Sequence, residues 1–156
     1  MTPLEGRFLQ LKSEVEDLKI TTEEKETAYK KVKEFSEIIG QLNAEDEKGK
    51  EVYLKGVRNY LDTELDYLRS KTDLIRKVSP DVSLLLEKKI NSYDKSTREV
   101  LEAAFEKDLE KTSETETLMD FANLVKTVFY IVTLQEMVNI ASDTLLNTLD
   151  FLDGNR

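Results

Sequence analysis

The chain has 156 residues, a formal net charge of −9, 35% charged residues, five Gly, two Pro and no Cys, His or Trp. That length suits a single domain spanning residues 1–156, with enough interior to fold alone, and the scarcity of Gly and Pro argues against turn-rich sandwiches and barrels. Without Cys or His there is no disulfide framework, no thiolate nucleophile, no Ser-His-Asp triad and no zinc, haem or di-iron centre held by those side chains.

The first apolar series, Leu4, Phe8, Leu11, Val15 and Leu18, steps by four and three, the spacing of a helix seam. Thr2, Pro3 and Glu5 form a capping box with Pro at the first helical position. The series resumes as Ala28, Val32, Phe35, Ile39 and Leu42 after a polar stretch, where Thr21 and Glu24 can cap a new helix. Residues 3–42 are therefore one long helix or two with a kink near Ile20.

The second block starts at Asn43, with Glu45, Asp46 and Glu47 at the positive end of the helix dipole. Leu54, Leu61, Leu68 and Ile75 repeat every seven residues, with Tyr53, Tyr60, Tyr67 and Leu74 beside them. Arg76 and Lys77 suit the negative end, and Ser79-Pro80 stops a helix of about 44–78. Pro80 opens the third block, with Ser79 as its cap and Val82, Leu85, Leu86, Ile90, Tyr93, Val100, Leu101, Ala104 and Phe105 in its seam. Asn91 to Thr97 is weak helix material, and Ser96 with Glu99 can restart a helix, so block 80–111 bends or breaks near residue 94 or runs through.

The last block opens on a capping box of Ser113 and Glu116. Leu118, Phe121, Ala122, Val125, Val128, Val132, Val138, Ala141, Leu145, Leu149 and Leu152 leave only a narrow polar stripe on an apolar cylinder, which needs neighbours on most sides. Val128 to Val132 is β-rich, but no turn signals bound it and no partner strand is apparent. Leu124 to Ala141 is about as long as a membrane span, yet Lys126, Gln135, Glu136 and Asn139 interrupt it. Charges near the middle of a span cost roughly 2.5–3.5 kcal/mol each, so a buried helix and no membrane contact are expected. Four helical blocks with short polar links predict an all-α fold, an antiparallel up-down-up-down four-helix bundle whose first and third helices are the ones open to a kink.

The five Gly stand isolated, so no phosphate-cradling loop exists, and no cofactor is expected. A pI near 4.7 argues against direct nucleic-acid binding. Lys30, Lys31 and Lys33 form the densest basic cluster, but Glu24, Glu26, Glu34 and Glu37 surround it. The start MTPLEGRFLQ is no basic-then-apolar export signal. With Cys absent as well, the expected location is cytoplasmic.

Carboxylates are the one enzymatic route left. Glu34-Phe35-Ser36-Glu37 resembles the first half of the E-x-x-E and E-x-x-D pattern with which all-α nucleotide pyrophosphohydrolases hold magnesium. Asp62 and Asp66 lie i,i+4 on the next block. A turn near Asn43 puts Asp62 about 15 Å too far along the axis to share an ion with Glu34. Glu47 and Glu51 are at a better level but begin a helix. The second half of the pattern is missing, so a magnesium-dependent hydrolase is the alternative rather than the leading expectation.

Two features point to protein contact instead. Tyr53, Tyr60 and Tyr67 form a ridge beside the Leu seam, and Tyr is enriched in interfaces. Phe129, Tyr130 and Ile131 stand consecutively and face three directions, so one of them needs a broad neighbour. The expectation is a non-enzymatic interaction or structural protein that binds a protein partner or a second copy of itself. Tyr53, Tyr60, Tyr67, Phe129 and Tyr130 are its candidate contacts.

Overall fold

A computed structural model describes residues 2–39, 47–106 and 114–154. They form five helices: α1 (Pro3–Glu16), α2 (Thr22–Ile39), α3 (Glu47–Val78), α4 (Pro80–Glu106) and α5 (Glu114–Gly154). The chain is all-α, with no strand among the described residues, and Val128 to Val132 is helical within α5. Asn43 and Ser113, the expected caps of the second and fourth blocks, lie outside the described residues, as does Leu42.

The count differs from the four helices expected, because the first block is two helices. Thr2 accepts from the Glu5 N–H at 3.2 Å, and Glu5 returns a bond to the Thr2 N–H, completing the capping box of α1. Thr21 accepts from the Glu24 N–H at 3.1 Å and caps α2. The backbone between these helices is held from outside. Ile20, 1% exposed, donates its N–H to Asn139 Oδ1 at 2.6 Å and accepts from Asn139 Nδ2 at 3.1 Å. Ser142 Oγ donates to Val15 O at 3.0 Å, and Lys71 Nζ donates to Asp17 O at 2.7 Å. Side chains of α5 and α3 thus satisfy carbonyls that a continuous helix would have satisfied itself.

Block three shows the opposite outcome, for α4 is continuous through residue 94. Ser79 caps its start, accepting from Val82 N–H at 3.4 Å. The polar run that looked weak is tied to α3: Arg69 donates to Asp94 at 2.6 Å and to Asn91 at 3.3 Å, and Arg98 bridges Asp94 and Asp62, both at 2.6 Å.

Pairs along the helices set their directions. Lys12 meets Asp150, Lys25 meets Glu136 and Tyr29 meets Phe129, so α1 and α2 both run antiparallel to α5. Arg76 meets Glu87 and Arg98 meets Asp62, so α3 and α4 are antiparallel. The core has two clusters. One centres on Phe35, Leu61, Leu65, Ile90, Leu124 and Ile131; the other joins Val15 and Leu18 of the α1 end to Ile75, Leu86, Leu145 and Leu149.

Several seam residues expected inside are outside. Leu4, Leu85 and Leu152 are 55%, 65% and 48% exposed, and Val100 and Ala122 are exposed too. Each keeps the helical spacing, but Leu4, Leu85 and Leu152 lie near helix ends, where fewer neighbours remain to cover them.

Candidate functional site: an aromatic and apolar contact surface

The Tyr ridge of α3 turns gradually from interior to cleft. Tyr53 is 5% exposed, stands edge-on to Phe35, packs on Phe121 and donates its hydroxyl to Phe35 O at 3.3 Å. Tyr60 is half-buried and also edge-on to Phe35, and its hydroxyl has no partner. Burial pushes both phenols well above their ordinary value. Tyr67 is half-buried, with Lys71 Nζ 5.2 Å over its ring. Burial, and the neighbouring carboxylate of Glu24, push it up to about 12. A heptad step turns 700°, about 20° short of two full turns, so each Tyr sits slightly rotated from the last.

The aromatic run of α5 divides as its three directions require. Ile131 is fully buried, whereas Phe129 and Tyr130 are 42% and 39% exposed. Phe129 packs its ring 5.7 Å from that of Tyr29 on α2, itself half-exposed. Tyr130 stacks 5.5 Å from Tyr93 on α4, whose hydroxyl donates to Thr127 O at 2.9 Å. Tyr130 also walls an open groove of about 420 Å³ between α4 and α5, with Lys89, Ser92, Ser96 and Lys126 around it. This groove collects two cations on a chain of net charge −9.

Among the exposed apolar residues of α5, Phe129, Ile140 at 64% and Phe151 at 69% share one side of the helix. They are eleven apart, which at 100° per residue keeps them within about 40° of one another. Leu84 and Leu85 at the start of α4, Leu4 and Leu9 on α1 and Leu152 beside Phe151 are exposed at the same end of the molecule. An eleven-step spacing was readable in the sequence, but only packing shows which apolar residues stay exposed.

The carboxylates noted as hydrolase candidates are distributed differently. Glu34 pairs with Lys31 at 3.6 Å and Glu37 with Lys33 at 3.9 Å, all on the surface of α2. Asp62 is taken by Arg98, Asp66 lies 4.0 Å from Arg69, and Glu51 pairs with Lys55 at 2.7 Å. The side chain of Glu47 lies outside the described residues. Among the described residues no group of three or more Asp and Glu is arranged to hold a metal ion.

A second cleft, of about 260 Å³, opens between α2, α3 and α5. Glu24, Thr27, Thr63, Glu64, Tyr67 and Gln135 line it. Sequence reasoning did not single out Glu24 or Glu64 there, because 40 residues separate them and only the packing of α2 and α3 against α5 brings them to one cleft.

Compared with protein-family models, curated proteins and solved structures, the chain has no match in any of the three.

Proposed function

We propose that the chain is a non-enzymatic interaction or structural protein whose five helices act as four legs, α1 and α2 together making one, and that it works as a homodimer or as a subunit of a larger assembly. The observation that carries this reading is the set of exposed apolar side chains Phe129, Ile140 and Phe151 on one side of α5, flanked by Tyr29, Tyr130 and Leu152. Single apolar residues are ordinary on a surface, but apolar residues that recur on one side of a helix, here with Glu136 and Asn147 exposed between them, make a contact face when several are covered together. Covering it removes apolar area at about 25 cal/mol per Å², so several of these side chains must be buried together to hold two chains. Of the five candidate contacts, Phe129 and Tyr130 are the accessible ones, Tyr60 and Tyr67 are half-buried, and Tyr53 lies in the core against Phe35 and Phe121.

The remaining expectations join this proposal. α5 is long and apolar enough to cross a membrane by length and composition, but half of its most apolar window is buried against the other helices. Gln135, Asn139 and Ser142 sit within that buried side. A cytoplasmic protein without membrane or direct nucleic-acid contact agrees with these features and with the acidic charge. No arrangement of the described carboxylates favours the magnesium-hydrolase alternative, since Glu34 and Glu37 are in surface ion pairs.

Molar mass from light scattering across a concentration series tests the proposal. The wild-type chain is expected to self-associate, and Phe129→Ser with Phe151→Ser to shift it to monomer at unchanged far-ultraviolet dichroism. A wild-type monomer at all concentrations removes the homodimer. If affinity capture with the wild-type chain also retains no partner that the double variant loses, the contact-surface reading fails.

A further inference from the structure

We propose that the groove between α4 and α5 binds a mononucleotide, with its base laid against Tyr130 and its phosphate held by a lysine and a serine at one end.

The lining of this groove is an exception on an acidic molecule. Lys89, Ser92, Tyr93 and Ser96 come from one face of α4, and Lys126, Thr127 and Tyr130 from one face of α5. No carboxylate is among them, on a chain of net charge −9. The acids that flank this stretch of α4 are engaged with arginines. Glu87 is held by Arg76 of α3, and Asp94 by Arg69 and Arg98. Lysines elsewhere are paired with acids, as Lys12, Lys25 and Lys55 are. Among the described residues, Lys89 and Lys126 are in no ion pair, and the Ser92 and Ser96 hydroxyls are in no hydrogen bond.

The aromatic wall is a separate observation. Tyr93 is 7% exposed, and its hydroxyl donates to Thr127 O at 2.9 Å. Its ring stacks on that of Tyr130, at 5.5 Å and 29° between planes. A fixed ring thus backs the exposed one and holds it ready, which lowers the ordering cost of binding.

Helix register places the cations. α3 and α5 run parallel, since Tyr53 meets Phe121 at one end and Ile75 joins Leu145 and Leu149 at the other. α4 is antiparallel to α3 and so to α5. With Tyr93 and Tyr130 level, Lys126 stands level with about position 97 of α4, beside Ser96. Lys89 lies on the other side of the Tyr pair, with its Cα about 12 Å away along the axis. Each end of the groove therefore has an ammonium group and a free hydroxyl, and the aromatic wall lies between them.

A flat ring with an anion at one end uses all three parts. An anion alone leaves the Tyr wall bare, and a neutral ring leaves the cations without partners. The groove volume of about 420 Å³ falls within the roughly 300–1,000 Å³ of small-molecule sites. The second lysine donates and cannot accept, so it favours a base with a carbonyl acceptor, as guanine has at O6. A long strand is disfavoured, because beyond the groove its phosphates meet an acidic molecule.

Calorimetric titration of the full-length chain with 5′-GMP tests this. The expected result is one sub-millimolar site, with guanosine and inorganic phosphate each at least tenfold weaker. Lys89→Ala and Lys126→Ala should each weaken GMP by about fivefold, and Tyr130→Ser by about tenfold, at unchanged far-ultraviolet dichroism. Tyr130→Phe should retain the affinity, because the ring and not the hydroxyl makes the wall. Lys33→Ala on α2 should leave it unchanged. Phe151→Ser, on the apolar side of α5, should also leave it unchanged, so this proposal and the self-association reading fail separately. No saturation at millimolar GMP, guanosine binding as tightly as GMP, or lysine variants without effect overturns the proposal. An oligoglutamate peptide that binds as tightly as GMP also overturns it, because charge alone would then be recognised. So does a short single-stranded oligonucleotide that binds more tightly than GMP, because the groove would then be part of a strand-binding surface.

Discussion

Asn139 shows how much one side chain can decide. Its amide donates to and accepts from Ile20, in a stretch where neither α1 nor α2 supplies a partner. Asn139→Leu would leave two buried backbone groups unpaired, which should cost roughly 2–4 kcal/mol. Urea unfolding would show it as a lower midpoint, while exposed Asn147→Leu on the same helix stays within about 0.5 kcal/mol. In the sequence, Asn139 and Gln135 stood out only as interruptions of an apolar run. The spacing said nothing of a partner 119 residues away. Glu64 makes a related prediction. An acid whose folded value is raised is stabilising only while protonated, so that stability is present below its ordinary 4.5 and lost as pH rises through the raised value. Glu64→Gln should therefore stabilise the chain at neutral pH and lose this advantage in acid, as read by melts at the two conditions.

At the scale of the helix, local signals and tertiary ties compete. The capping box at Thr2, the cap at Thr21 and the Ser79-Pro80 stop were legible, because a cap needs only residues within one turn. Whether α4 breaks near residue 94 was not, because the answer lies on α3. Arg69 and Arg98 both grip Asp94 and so hold the weak Asn91–Thr97 run helical. Burial pulls the Asp94 carboxyl upward, but bonds from Arg69 and the Arg98 charge outweigh it and hold the group below its ordinary 3.8. A depressed acid stabilises the fold above its unfolded value, and that contribution disappears as pH falls through the folded one. Asp94→Asn should cost about 1 kcal/mol at neutral pH, since both arginines are partly exposed. The gap from wild type should close as the pH drops below 3.8. Denaturant midpoints taken over that range would show it, and a gap independent of pH would mean that the carboxylate charge is not what matters.

For the molecule as a whole, α3, α4 and α5 each pass through both core clusters. Leu68 and Ile75, fully buried and seven residues apart on α3, belong to different clusters, so neither cluster can loosen without straining the same helix. One cooperative transition is expected, with far-ultraviolet dichroism and tyrosine fluorescence melting together. Two separated transitions would instead mean that the α1 end unfolds by itself. The exposed stripe of α5 also belongs to this scale. Its apolar girth was visible in the sequence, and the surplus beyond what four other helices can cover is now located at Phe129, Ile140 and Phe151.

The amino-acid sequence by itself determined that the chain is helical, where α1, α2 and α4 start and α3 stops, and which residues recur on a seam, since all of these depend on neighbours within a turn or two. Only the tertiary structure decided that the first helical block breaks and the third does not, which candidate aromatics stay in water, and that Glu24, Glu64 and Gln135 share one cleft. Those outcomes rest on contacts between residues far apart in the chain, and helical periodicity carries the direction of a side chain but not the identity of what it meets.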